Sequence, residues 1–233
     1  MTPDPVDPLA LALRLGAILD AQGIPYVIVG SVAAIVHGEY RSTRDLDVVL
    51  HLRPDAISAL VQGLREAFVF APDDIIDALL PLPEARADWR RRASFCASEK
   101  TTGFQIDIYL SSRRPFEVSQ FQRAQVIDIP GVMGGMLRVA SAEDTVLAKL
   151  ECYRLAPSDR QWRDVQAILR VQDTALDQAY LRHWAAELDL SALLDQALEG
   201  RSPPPAPLQS QGCGETGFAH TPAPGDYVHI RIR

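Results

Sequence analysis

Residues 30–50, GSVAAIVHGEYRSTRDLDVVL, decide how this chain is read. A continuously apolar run, IPYVIVG (24–30), leads into them and ends in glycine, as a buried strand does before a turn. SVAAIVH (31–37) begins with a serine suited to an N-cap and stops at Gly38, which predicts a short helix. DLDVVLHL (45–52) alternates acidic and apolar residues before turning wholly apolar, the period-two pattern of a strand. Asp45 and Asp47 then share one face while Leu46 turns into the core. Two carboxylates so close repel each other unless a cation lies between them, so their natural ligand is a divalent metal.

Working outward, PLALALRLGAILDAQ (8–22) reads as a helix capped by Asp7 and ended by Gly23. Pro54 opens a further helix expected to run to about Phe70, with Ile57, Leu60, Val61, Leu64 and Phe68 at helical spacing. Residues 72–92 read as one or two short helices interrupted by Pro81 and Pro83. SFCAS (94–98) and FQIDIYL (104–110) flank a loop, EKTTG, suited to a hairpin, and the second strand carries Asp107 between Ile106 and Ile108. Short strands are expected at 124–129 and 136–139. Ser141 with Asp144 starts a helix through Leu155, Ser158 with Gln161 forms a capping-box pattern for another through Val171, and two more helices follow around 176–188 and 190–199. The Pro/Gly-rich stretch 201–225 reads as a linker or tail, and DYVHIRIR after it as a stray edge strand.

Composition narrows the class. The chain has 233 residues, 47% of them hydrophobic, and no apolar run near the ~20 residues a membrane span needs. Its N-terminus, MTPDPVDP, lacks the basic and apolar regions of a signal peptide, so a cytoplasmic location is expected. Cys96, Cys152 and Cys213 stand at no metal-ligand spacing, which indicates neither a zinc site nor a disulfide framework. A net charge of −7 argues against an overall basic nucleic-acid-binding surface. Residues 86–114 are nonetheless locally basic, with seven Lys/Arg against three acids, and the arginine run 90–92 reads as a solvated face or an RNA-binding strip.

The chemistry follows from two halves. Asp45, Asp47 and, from the later strand, Asp107 form an oxygen-ligand set that favours Mg²⁺ or Mn²⁺ over zinc. Gly30 lets backbone approach a phosphate closely, and the helix start at Ser31 offers free N–H groups, the positive dipole end and a hydroxyl. Acids that bind metal beside a turn that holds phosphate describe a site for a metal–nucleotide complex.

Gly30-Ser31, thirteen intervening residues, Asp45-Leu46-Asp47 and Asp107 on a later strand resemble the nucleotidyltransferase superfamily typified by DNA polymerase beta. Within it, residues 30–50 are similar to the bacterial AbiEii-type toxin nucleotidyltransferases and their relatives, and AEDTVLAKLECYR with RQWRDVQAIL resembles the helical part of that group. The resemblance implies an α/β (α+β) fold: a mixed, largely antiparallel sheet flanked by helices over 1–140 and a small helical bundle over 141–200; composition adds a flexible tail over 201–233. It implies that Gly30 and Ser31 hold the triphosphate, that Asp45, Asp47 and Asp107 bind metal, and that Asp107 accepts the proton of the incoming hydroxyl. Lys149 and Asp164 become the helical residues near the nucleotide.

The function so implied is Mg²⁺-dependent transfer of an NMP from an NTP to a hydroxyl of RNA (tRNA), protein or a small molecule. The toxin resemblance adds a cognate antitoxin as partner; the lack of a long apolar run implies no membrane. A non-catalytic nucleotide-sensing or partner-binding module is the competing class. Some residues read two ways. His37 caps a helix end or touches substrate; Arg41 and Arg44 neutralise triphosphate or pair with Asp45 and Asp47; Lys149 is a surface lysine or a phosphate contact; Asp164 faces the nucleotide or pairs with Arg160 or Arg163.

Overall fold

The computed structural model describes residues 7–79, 93–112, 114–129 and 135–204. The first helix, α1 (Pro8–Ala21), is capped by Asp7, whose carboxylate accepts from the Leu9 N–H at 2.9 Å. Strand β1 (Tyr26–Ile28) enters α2 (Gly30–His37), and β2 (Asp45–Leu50) returns antiparallel beside β1. Ser31 therefore lies in the first turn of α2 and is not its cap; Val29 occupies the cap position.

The helix expected from Pro54 to Phe70 is divided. A 3₁₀ turn (Pro54–Ala56) leads into α3 (Ile57–Leu64), and Phe68 belongs to the two-residue strand β3 (Phe68–Val69). Leu60, Leu64 and Phe68 are all buried, because the turn after Leu64 brings Phe68 back to the same core as a strand residue paired with Glu99. Next come α4 (Pro72–Leu79), β4 (Ser94–Glu99) and β5 (Gln105–Leu110), the last two forming the expected hairpin.

Helix α5 (Pro115–Arg123) was not legible from apolar spacing. Its buried residues are Phe116, Glu117 and Gln120, so two of the three positions that define its inner face are polar. Glu117 is satisfied by the Ser112 N–H and hydroxyl and by Arg114. Strands β6 (Gln125–Ile129) and β7 (Gly135–Val139) then pair antiparallel. Helices α6 (Ala142–Leu155), α7 (Asp159–Gln172), α8 (Gln178–Glu187) and α9 (Ser191–Leu198) complete the described chain. Ser141 caps α6 as its sequence implies, accepting from the Asp144 N–H at 3.1 Å. Ser158 occupies the N-cap of α7 without the expected side-chain bond, and its would-be capping-box partner Gln161 accepts from Lys149.

The seven strands among the described residues form one sheet in the order β3-β4-β5-β2-β1-β7-β6. Pairs β2–β5 and β1–β7 are parallel and the other four antiparallel, the mixed, largely antiparallel sheet expected. One face, carrying Leu46, Val48, Leu50, Ile106 and Ile108, is buried with the apolar sides of α1 and α3. A second core joins Val146, Leu150, Trp162, Val165, Leu181 and Leu194 across α6–α9. Helix α2 belongs to both, giving Val32 and Ala33 to the first core and Ala34 to the second. Residues 90–92 and 205–233, where the arginine run, most of the Pro/Gly-rich stretch and DYVHIRIR fall, lie outside the described residues.

Candidate active site

The alternation of β2 produces the first wall. Its even positions Leu46, Val48 and Leu50 fill the core, so Asp45 and Asp47 project from the opposite face. In the parallel β2–β5 pair Asp47 lies directly opposite Asp107. The three carboxylates thus come from two adjacent strands and one face. Asp45 accepts from the Thr43 hydroxyl at 2.7 Å, and Asp107 accepts from Gln105 Nε2 at 2.7 Å and from the Cys96 thiol at 3.3 Å. Burial, the charge of Asp45 and the charge of Asp107 raise the Asp47 carboxyl to about 6. Burial and the bond to Asp107 push the Cys96 thiol up to about 11, so it acts here as a neutral donor.

The turn at Gly30 closes on that wall. Gly30 has φ +64°, and a Cβ there would overlap Asp47 Oδ2. Only glycine combines the left-handed backbone with the space for the carboxylate. The Ser31 N–H, free because it lies in the first turn of α2, donates to Asp47.

The second wall is helical and gathers two cations on one carboxylate. Asp164 on α7 accepts from Arg41 Nε and Nη2, each at 2.7 Å, and from Lys149 Nζ at 2.7 Å. Burial alone would raise the Asp164 carboxyl; the Arg41 hydrogen bonds and the Lys149 charge outweigh it and hold the carboxyl below its ordinary value. Lys149 is 6% exposed and so is not a surface lysine. Arg41 pairs with Asp164 and not with Asp45 or Asp47, and Asp164 takes neither Arg160 nor Arg163; Arg163 Nε instead donates to the Asp159 carbonyl at 3.3 Å. The signal for Arg41–Asp164 was absent from the sequence, since 123 positions separate the partners.

A cavity of about 810 Å³ lies between these walls, and Gly30, Ser31, Asp45, Asp47, Asp107, Lys149 and Asp164 all line it. Arg41, Tyr109, Arg160 and Arg163 line it as well. His37 does not. It is buried, its Nε2 lies 2.6 Å from the Ala140 carbonyl, and burial lowers its pKa, so a neutral imidazole ties the end of α2 to the residue after β7. Arg44 is exposed.

The carboxylate wall fits a divalent cation in chemistry: it offers three hard oxygen donors, and the charges of Asp45 and Asp107 add to burial in raising Asp47. Among the described residues no three acidic, His or Cys side chains are already gathered at ligand spacing.

With this geometry the comparisons can be read. A family model described as "Nucleotidyltransferase of unknown function (DUF6036)" matches residues 11–187. The chain belongs to the DUF6036 nucleotidyltransferases. The matched span runs from α1 to the end of α8 and so includes both walls of the cavity. None of the curated proteins matches the sequence. Among solved structures, an antigenic nucleotidyltransferase-like protein from Paracoccidioides brasiliensis is 16% identical, with a TM-score of 0.50 over 86% of this chain and 95% of that one. At that identity it shows the shared fold. More loosely similar are ANT(2″)-Ia in complex with adenylyl-2″-tobramycin (13% identity, TM-score 0.49, 78% and 96% covered) and the nucleotidyltransferase toxin MenT4 from Mycobacterium tuberculosis (16%, 0.43, 85% and 67%). This DUF6036 chain is thus a nucleotidyltransferase by family, and it shares the fold of a nucleotidyltransferase-like protein. Among its described residues no helix is long and apolar enough to cross a membrane.

Proposed function

We propose that this DUF6036 protein transfers a nucleoside monophosphate from an NTP to an acceptor hydroxyl and releases pyrophosphate. The observation that carries the reading is the cavity in which Asp45, Asp47 and Asp107 face the Gly30-Ser31 turn. Asp45, Asp47 and Asp107 are the residues to hold Mg²⁺, which when bound supplies charge neutralisation and Lewis acidity at the reacting phosphate. The chain's own groups do the rest. Ser31, with its hydroxyl, and the first turn of α2 bind phosphate oxygens. Lys149 Nζ, a three-donor ammonium with Asp164 and Gln161 on two of its directions, lines the cavity as a fixed cation. Asp107, which lines the cavity, is the carboxylate to take the acceptor proton.

Arg160 and Arg163, both exposed at the cavity, favour a polyanionic acceptor such as an RNA 3′ end over a polycationic small molecule. The AbiEii resemblance of residues 30–50 extends the reading to growth arrest relieved by an antitoxin, with 1–140 as the catalytic unit and 141–200 as its helical partner. Purified protein with Mg²⁺ and each labelled NTP, incubated with total bacterial RNA, protein and metabolites, is expected to label RNA. Asp47→Ala is expected to abolish labelling, and induced wild type but not Asp47→Ala is expected to halt growth. Equal labelling by both proteins would remove the site assignment. Failure to bind any NTP in calorimetry with Mg²⁺ would leave the non-catalytic module.

A further inference from the structure

Arg41 sits in the loop between α2 and β2 and engages four of its five N–H donors. Nε and one Nη2 hydrogen go to the two oxygens of Asp164, the other Nη2 hydrogen goes to Ser31 Oγ at 2.9 Å, and Nη1 donates to the Ser42 carbonyl at 3.1 Å. Four of the guanidinium donors are therefore spent on protein groups, and the guanidinium shares its carboxylate partner Asp164 with Lys149. What it does to Ser31 is directional. A serine hydroxyl has one hydrogen to give and two lone pairs to receive. With one lone pair taken by Nη2, the hydrogen must point away from Arg41, and Ser31 lines the cavity. Accepting from a cation also polarises the hydroxyl and makes it a better donor.

We propose that Arg41 is a positioning residue. Anchored on Asp164, it turns the Ser31 hydroxyl into a fixed donor for a phosphate oxygen of the NTP and makes no phosphate contact itself. Asp164 consequently belongs to the nucleotide site through Arg41 and Lys149, whose donors cover both its oxygens, and not as a nucleotide ligand. The inference rests on the triphosphate reading of the cavity.

The test is a double-mutant cycle on binding. The dissociation constants of a non-hydrolysable NTP analogue with Mg²⁺, and of inorganic tripolyphosphate, are measured by calorimetry for wild type, Ser31→Ala, Arg41→Lys and the double variant. Arg41→Lys keeps a cation beside Asp164 but cannot reach two carboxylate oxygens and Ser31 at once. Each single change is expected to weaken binding about tenfold, as the loss of one charge-assisted hydrogen bond does. The double is expected to be no weaker than Ser31→Ala within about twofold, because both changes remove one interaction. Ser31→Thr, which keeps the hydroxyl, is expected to restore the dependence on Arg41. Losses that multiply to about a hundredfold in the double would overturn the inference and make Arg41 a phosphate ligand in its own right. Unchanged binding by Ser31→Ala would overturn it too. A wild type that binds neither probe would overturn the triphosphate reading together with the inference, an outcome distinct from binding with additive losses. Should Arg41→Lys not fold, Arg41→Gln carries the same cycle, with Lys149 still on Asp164.

Discussion

The two walls of the cavity hold their charges in opposite ways. On the sheet wall burial, together with the charges of Asp45 and Asp107, holds the Asp47 carboxyl at about 6. On the helical wall Asp164 carries Arg41 and Lys149 on its two oxygens and is held below its ordinary value. A wall of uncompensated like charge lowers the stability of the metal-free protein and is kept for what it can bind. A carboxylate bonded by two cations fixes geometry. The site thus sets a row of carboxylates opposite a carboxylate already engaged by two cations.

The sharpest way to break that contrast is Asp47→Asn. It is expected to reduce nucleotidyl transfer to background while making the metal-free protein more stable. The folded Asp47 titrates at about 6 against an ordinary 3.8. Its favourable contribution is therefore full below 3.8 and lost as pH rises through about 6, on the order of 2–3 kcal/mol, whereas the amide keeps it at every pH. Urea unfolding of wild type and variant in EDTA should give nearly equal stability at pH 4 and diverge by pH 7. Added Mg²⁺ should close the gap from the wild-type side only.

The helical wall should respond in the opposite sense. Asp164→Ala leaves Lys149 buried without its carboxylate and frees Arg41 from its anchor. A loss of about 3–5 kcal/mol is expected in denaturant unfolding, because breaking a buried pair leaves an unpaired charge. A loss below about 1 kcal/mol would show that the wall is wet and not a support.

The smallest effect is a control far from the cavity. Arg14, then the hydroxyl and backbone of Thr102 and the Thr101 N–H, hold the Glu99 carboxyl at about 2. The stability this contributes is present above pH 4.5 and lost as pH falls from 4.5 toward 2. Because Arg14 is half-exposed, Glu99→Gln should cost only about 1 kcal/mol at pH 7, with the gap to wild type closing on acidification. Its transfer activity should match wild type, which separates general stability from the effects at the two walls.

How much of this was legible in the sequence depends on the range of the interaction that forms each part. The Gly30-Ser31 turn, the alternation of β2 and the Ser141 cap are written within a few residues, and all appear as read apart from the exact start of α2. Helix α5 escaped because polar Glu117 and Gln120 occupy its inner face and are satisfied by tertiary hydrogen bonds. Phe68 escaped because a helical spacing of apolar residues continues, without interruption, into a strand.

The sequence by itself determined the chemistry of the sheet wall, because a strand's period places Asp45 and Asp47 together whatever the rest of the chain does. Only the tertiary structure decided that Asp107 stands opposite Asp47, since strand register is set by pairing across 60 residues. It alone also decided that Arg41 belongs to Asp164. A charge chooses the partner whose geometry and burial repay its desolvation, and that partner was supplied by a helix far along the chain.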